Sequence, residues 1–413
     1  MKVSNNKILN SVPVSLKKNI IHTCTILNRE GFSAYIVGGA IRDLILGRDT
    51  KDFDFATDAR PDDIIRIFNR TIPTGIKHGT VTVLMNSDTF EITTFRSDGV
   101  YSDARHPDSI KFSDTIDEDL LRRDFTINGL AYDPLEEVLI DNHNGLEDIS
   151  GKIIRTIGNP LDRFREDGLR TIRACRFSTA LEFDIENETF KAMNDRTIHD
   201  RVKMVAVERF SDELFKGFSF LKISRMIKLL DETNLIRLFI SDYNPGILNH
   251  EDYEILDSLE GSSETFKLAY WWRLAALSDR AKNISSKLKL SGKNIRDIEF
   301  YIKIIDFDLW DNDYELRKFV SSIKEVYREH SIEFLKSINN SKLMNKKSDI
   351  LIDVIKTTPL IVSDLEINGA DMISAGLSGK DIGNCFTEIL NQVWNDPQFN
   401  NRDRLLEYIK KRR

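Results

Sequence analysis

One stretch limits what this chain can become more than any other. The apolar run Tyr35-Ile36-Val37 meets Gly38-Gly39, a polar segment with Arg42 and Asp43 follows, and then comes Asp52-Phe53-Asp54-Phe55. The apolar run reads as a short buried strand, and paired glycines after it let the backbone turn sharply and approach a ligand closely. Glycines between a strand end and a helix start can aim backbone N–H groups at a phosphate. In the second run Asp52 and Asp54 share one strand face while Phe53 and Phe55 take the other. Two carboxylates on one face repel unless a cation lies between them, and magnesium suits such a place because it takes few carboxylates and completes its shell with water and phosphate. Taken singly, Gly-Gly is turn punctuation and Asp-x-Asp a solvated strand edge. Only 12 residues separate Gly39 from Asp52, and together they point to a phosphate-plus-metal site.

At 413 residues the chain exceeds one compact core, so two to four domains are expected. The net charge of −7 argues against a surface built for indiscriminate nucleic-acid binding but permits a local basic one. Cys24, Cys175 and Cys385 lie far apart and read as buried or free thiols of a reducing cytoplasm. Met1 to Pro13 lacks the apolar core of a signal peptide, and no run has membrane-spanning length. A cytoplasmic protein without a membrane partner is expected. The histidines include no metal-type pair, and His199-Asp200 reads as surface.

Helical periodicity over 15–30 puts Leu16, Ile20, Cys24 and Leu27 on one side, with Gly31 as the stop. Pro61 opens a helix over 61–69. Thr80–Met85 and Thr89–Phe95 read as a hairpin joined by Asn86-Ser87-Asp88. Glu91 lies on its second strand, where spacing alone favours an outward-facing residue. The segment 96–108 has no period and many turn residues, so it reads as a long loop, functional or mobile. Leu121-Arg122-Arg123-Asp124 follows, with Asn128 soon after. Its arginines suit a triphosphate, and its carboxylate a ribose hydroxyl; surface ion pairing is the plainer alternative.

From about residue 156 the strand pattern gives way to helices. Pro160 opens a helix that runs through Arg173, on which Asp167 and Arg170 are three apart and neighbours. An intrahelical ion pair is the plain reading. The sharper one uses hydrogen-bond edges. Cytosine and adenine each present an amine donor beside a ring-nitrogen acceptor, which a carboxylate and a guanidinium complement. Uracil and guanine present the reverse, so a fixed Asp/Arg pair admits C and A and rejects U and G. Val207–Phe210 opens a helix expected to pack on 160–177, and Trp271-Trp272 reads as helical core. Lys293 and Lys380 each follow Ser-Gly before a helix, a place where backbone phosphates can be held.

In this order, Gly38-Gly39-x-x-Arg42-Asp43, Asp52-x-Asp54, Arg122-Arg123-Asp124 and Arg163-Phe164-x-Glu166-Asp167-x-x-Arg170 closely resemble the class II tRNA nucleotidyltransferases, the CCA-adding enzymes of the polymerase β superfamily. The match covers about residues 30–215. The resemblance implies an α+β head of nucleotidyltransferase fold (1–155), a mixed sheet with helices, followed by an all-α neck (156–220), body (221–280) and tail (281–413) along which tRNA lies. It implies that Asp52 and Asp54 hold two magnesium ions with Glu91 as a third carboxylate, against the reading from spacing. Gly38, Gly39 and Arg42 then attend the triphosphate, with Arg122 and Arg123 near the phosphates and Asp124 at the ribose 2′-hydroxyl. Asp167 and Arg170 become the template for the incoming base, with Glu166 orienting Arg170. Loop 96–108, with Asp98, Asp103 and Arg105, becomes the element that helps switch the template from C to A, and relatives adding only two cytidines lack it. His106 departs from the basic residue common at that place.

The implied activity is addition of C, C and A to the tRNA 3′ end from CTP and ATP, with release of pyrophosphate. A poly(A) polymerase of the same superfamily shares every catalytic residue, and an enzyme adding only the terminal A keeps the loop. A non-catalytic RNA-binding protein is the different-class alternative, but binding alone has no need of a metal cradle.

Overall fold

The computed structural model describes residues 2–4, 8–98, 110–259, 261–306, 312–323 and 342–412. The chain forms two compact units, one of residues 1–247 with 284–290, the other of 248–283 with 291–413.

The first unit begins with an eight-stranded sheet. In chain order its strands are β1 (Lys2–Ser4), β2 (Ala34–Val37), β3 (Asp54–Thr57), β4 (Thr71–Gly75), β5 (Thr80–Met85), β6 (Asp88–Thr94), then β9 (Leu130–Asp133) and β10 (Val138–Asp141), with β7 (Arg96–Asp98) and β8 (Ile110–Phe112) forming a separate antiparallel ladder. The spatial order is β1-β10-β9-β2-β3-β6-β5-β4, and β3·β6 is its parallel pair. The expected mixed sheet is therefore present. The expected hairpin is β5–β6, with Asn86 in its turn at φ 54°. Segment 96–108 does not begin as a loop: β7 pairs with β8 from Arg96↔Phe112 to Asp98↔Ile110, because a chain reversal supplied backbone partners that polar composition did not reveal. Asp103, Arg105 and His106 lie outside the described residues.

Helix α1 (Val14–Arg29) buries Leu16, Ile20, Cys24 and Leu27, and Gly31 follows it at φ 88°. Helices α2 (Gly39–Ile45) and α3 (Pro61–Ile67) flank β3 in sequence, α4 (Ile116–Leu121) precedes Arg122, and α5 (Gly145–Gly151) follows β10. On one face of the sheet Val37, Ala56, Ala131 and Ile140 pack with Phe95, Ile116 and Leu120 of the segments that cover it. Phe53 and Phe55 are both buried, as the sequence reads, although β3 begins only at Asp54, so Asp52 and Phe53 precede the strand; Phe55 meets Phe90 edge-on at 5.2 Å.

Past residue 156 helices dominate, though Ile153–Ile154 and Asp184–Ile185 make a short parallel ladder. The helix expected through 160–173 is two helices, α6 (Pro160–Glu166) and α7 (Leu169–Leu181). Asp167 between them has φ −140° and ψ 106°. Tertiary packing overrides local periodicity here: a Cβ at Gly168 would stand 3.0 Å from the N and Cα of Val202, so the break fits against the end of helix Arg196–Val202. Helices α8 (Asn187–Met193), α9 (Arg196–Val202) and α10 (Val207–Phe218) follow.

The second unit is helical throughout its described residues. Trp271 and Trp272 are fully buried in helix Glu264–Leu274, as expected. Met372, Cys385, Ile389, Val393, Leu405 and Ile409 form another core farther along. Lys293 and Lys380 are exposed in the first turns of helices Gly292–Asp306 and Lys380–Asn395. All three cysteines are buried and unpaired by disulfides.

Candidate active site

A cleft of about 410 Å³ opens in the first unit, lined by Gly38, Gly39, Arg42, Asp54, Arg122, Arg123, Asp124, Asn128, Asp167, Leu169, Arg170, Arg173, Phe177 and Arg209. Six of these are arginines and three are aspartates, a surplus of positive charge suited to a polyphosphate.

Gly38 leaves β2 at φ 76° and ψ −138°, backbone space essentially reserved for glycine. A Cβ there would also stand 3.1 Å from Arg123 Nη1. The turn starts α2 at the wall of the cleft and brings Arg42 into it. Arg42 Nη1 donates to Asn128 at 2.6 Å, while Nε and Nη2 hold Asp43. Arg122 and Arg123 both grip Asp119, at 2.8 and 3.0 Å. Burial would raise the Asp119 carboxyl, but the two guanidiniums more than reverse that and hold it below the usual range. Asp119 escaped the sequence reading because it looked like ordinary acidic dressing of a helix start; its spacing of three and four to the arginines was the signal.

Asp54 pairs in register with Val37 on β2 and with Glu91 on β6. The parallel register sets Asp54 and Glu91 on one face, with Asp52 two residues before. Desolvation raises the Asp54 carboxyl to about 6; Glu91 and Asp52 add repulsion and Arg123 opposes them. Glu91 is thus exposed, as spacing suggests, and also close enough to press on Asp54. Among the described residues no three or more His, Cys, Asp or Glu side chains gather into a metal-holding group by themselves. The all-oxygen donors and the mutual repulsion around Asp54 nonetheless fit a hard divalent cation that takes one or two carboxylates and finds its other ligands in water and substrate.

Asp124 is not the free acceptor that was expected. Its Oδ1 accepts from Phe125 N at 2.8 Å and Asn128 Nδ2 at 3.1 Å, and its Oδ2 accepts from Arg173 Nε and Nη2 at 2.9 and 2.6 Å. Burial favours the neutral acid, but Arg173 and Asn128 bring it down to about 2. Of these donors Asn128 is the uncharged side chain and holds the longest bond.

Asp167 and Arg170 line the cleft but do not form the intrahelical pair. The break at Gly168 turns Asp167 toward α10, where Arg209 donates to both its oxygens at 3.2 and 2.8 Å and Leu169 N donates to Oδ1 at 3.0 Å. Arg170 Nη1 donates to Glu166 at 2.6 Å and to the Arg163 carbonyl at 3.1 Å, and Nη2 to the Arg122 carbonyl at 2.9 Å. These bonds leave an acceptor position on Asp167 Oδ2 and the Nε–H and one Nη2–H of Arg170 for a ligand. Helix α10 packs on α7 as expected, but Arg209 was missed, since only the fold brings it 42 residues back to Asp167.

Two family models match: a poly A polymerase head domain over residues 34–155, and a probable RNA and SrmB-binding site of polymerase A over 182–247. A CCA-adding enzyme of Lactobacillus helveticus (strain DPC 4571) is 33% identical over 93% of this chain and 94% of its own length. One from Staphylococcus aureus (strain MRSA252) is 39% identical over 67% of this chain and 66% of its own. The crystal structure of the Bacillus stearothermophilus CCA-adding enzyme in complex with CTP superimposes with a TM-score of 0.77 at 27% identity, covering 96% of this chain and 97% of that one. Enzymes of this superfamily generally use divalent metal ions, and no described helix is long and apolar enough to cross a membrane. Cleft, sheet and the relatives' near full-length match lead to one conclusion: this chain belongs to the CCA-adding enzymes.

Proposed function

We propose that the chain adds C, C and A in turn to the 3′ end of tRNA, taking CTP and ATP and releasing pyrophosphate. The observation that carries this reading is the presence of Asp54 and the separately pinned Asp167 and Arg170 in one arginine-rich cleft. Arg42, Arg122 and Arg123, with the backbone at Gly38 and Gly39, hold the triphosphate. Asp124 and Asn128 meet the ribose. Asp167 accepts from the base amine, and Arg170, oriented by Glu166, donates to the ring nitrogen. Two magnesium ions at Asp52 and Asp54, with Glu91 alongside, supply when bound the charge that activates the tRNA 3′-hydroxyl and stabilises the departing pyrophosphate. The protein contributes chiefly position and charge neutralisation.

The head spans 1–155, the neck 156–220, the body 221–280 and the tail 281–413, and tRNA lies along the last three. Lys293 and Lys380 contact its phosphates, and Asp98, Asp103 and Arg105 adjust the template between C and A. The protein works in the cytoplasm.

Purified protein and magnesium, given tRNAs ending before the tail, after one C and after CC, with CTP and ATP singly and together, test the proposal. Growth to CCA followed by arrest is expected. Long A tracts would make it a poly(A) polymerase, and extension of the CC-ended tRNA alone an A-adding enzyme.

A further inference from the structure

Phe177 is one ring ringed by three guanidiniums. Arg42 lies 5.3 Å from its centroid, Arg173 5.1 Å and Arg176 4.0 Å. The side chain is buried on α7, lines the cleft and meets Phe125 edge-on at 5.7 Å. Arg42 comes from α2, just after the glycine turn, whereas Arg173 and Arg176 come from α7. A polar chain closes the circuit: Arg42 to Asn128, Asn128 to Asp124, and Asp124 to Arg173 at 2.6 Å.

Three cations near one another repel, and carboxylates are the usual remedy. Asp43, Asp124 and Glu213 each take part of that charge. A fourth carboxylate in the place of the ring would neutralise the arginines and compete with an incoming polyphosphate. The face of an aromatic ring attracts cations through its quadrupole without carrying net charge. It can therefore gather Arg42 and Arg173 while leaving their charge available to substrate.

We propose that Phe177 is a positioning residue for nucleotide binding, holding Arg42 of α2 and Arg173 of α7 in register through its ring face, without regard to the base. This rests on the nucleotidyl-transfer reading above. Its first consequence is that weakening the ring face raises KM for CTP and ATP together, while the preference for C and A over U and G stays fixed. Loss of one cation–π contact of this kind corresponds to roughly a tenfold rise.

Incorporation of 4-fluoro-, 3,4-difluoro- and 3,4,5-trifluorophenylalanine at position 177 tests this, since the shape is nearly kept while the ring face loses electron density stepwise. Phe177→Leu, which keeps apolar bulk without a ring, and Phe177→Tyr, which keeps the ring, complete the series. KM for both nucleotides should climb with each fluorine, Leu should show at least about a tenfold rise, and Tyr should restore values near the parent's. A KM indifferent to fluorination, a Leu variant equal to the parent, or a change confined to one nucleotide would overturn the proposal. If the unsubstituted protein completes CCA in the same assay, such a result removes the role of Phe177 and leaves the transfer reading standing.

Discussion

Asp124 illustrates how single side chains in this cleft serve the fold and the chemistry together. It is almost fully buried, yet four donors keep it ionised, and its carboxyl lies at about 2 against an ordinary 3.8. Because the folded value is depressed, its contribution is complete above pH 3.8 and is lost as pH falls through 2. That contribution is about 2 kcal/mol. Urea unfolding at pH 5 and pH 2.5 should show the parent losing stability that Asp124→Asn does not lose over the same range. The Asn variant should also be less stable at pH 5, having left half-buried Arg173 beside a neutral amide. Equal acid sensitivity in both proteins would place the depressed carboxyl elsewhere. The identities of Asp52, Asp54, Asp167 and Arg170 were legible as motifs. Arg209, which holds Asp167, and Arg173, which holds Asp124, were not, because a hydrogen bond between distant segments leaves no periodic trace in either one; Asp119 left only its spacing to Arg122 and Arg123.

At the scale of elements, patterns governed by local sterics were readable. Helix α1, the β5–β6 hairpin and the Gly38 turn follow from apolar spacing, β-rich runs and paired glycines. The break between α6 and α7 was hidden, since one glycine in a helical pattern is ordinarily tolerated. The Val202 backbone lies close against Gly168 at this break. That break is what separates Asp167 from Arg170 and delivers it to Arg209. Gly168→Ala should therefore cost about 1–3 kcal/mol in urea unfolding, and nucleotide choice should relax as α9 is pushed away. Unchanged stability would show that α9 yields freely and that the packing does not set the break.

Across the first unit, the proposed function divides chemistry and choice between two regions whose residues line one cleft. The sheet supplies Asp54 beside Glu91, and the neck supplies Asp167 and Arg170, while the Arg122 carbonyl bonded to Arg170 Nη2 ties the phosphate-holding segment to the template. In the proposed function the carboxylates at the sheet are indifferent to the base, and discrimination falls to Asp167 and Arg170. The most direct test of this is single-turnover incorporation of CTP, ATP, UTP and GTP onto tRNA by the parent and by Arg170→Ala. The account predicts that the preference for C and A over U and G falls by roughly 100-fold in the variant, with tRNA affinity nearly unchanged. Equal slowing of all four nucleotides, with the preference intact, would contradict it.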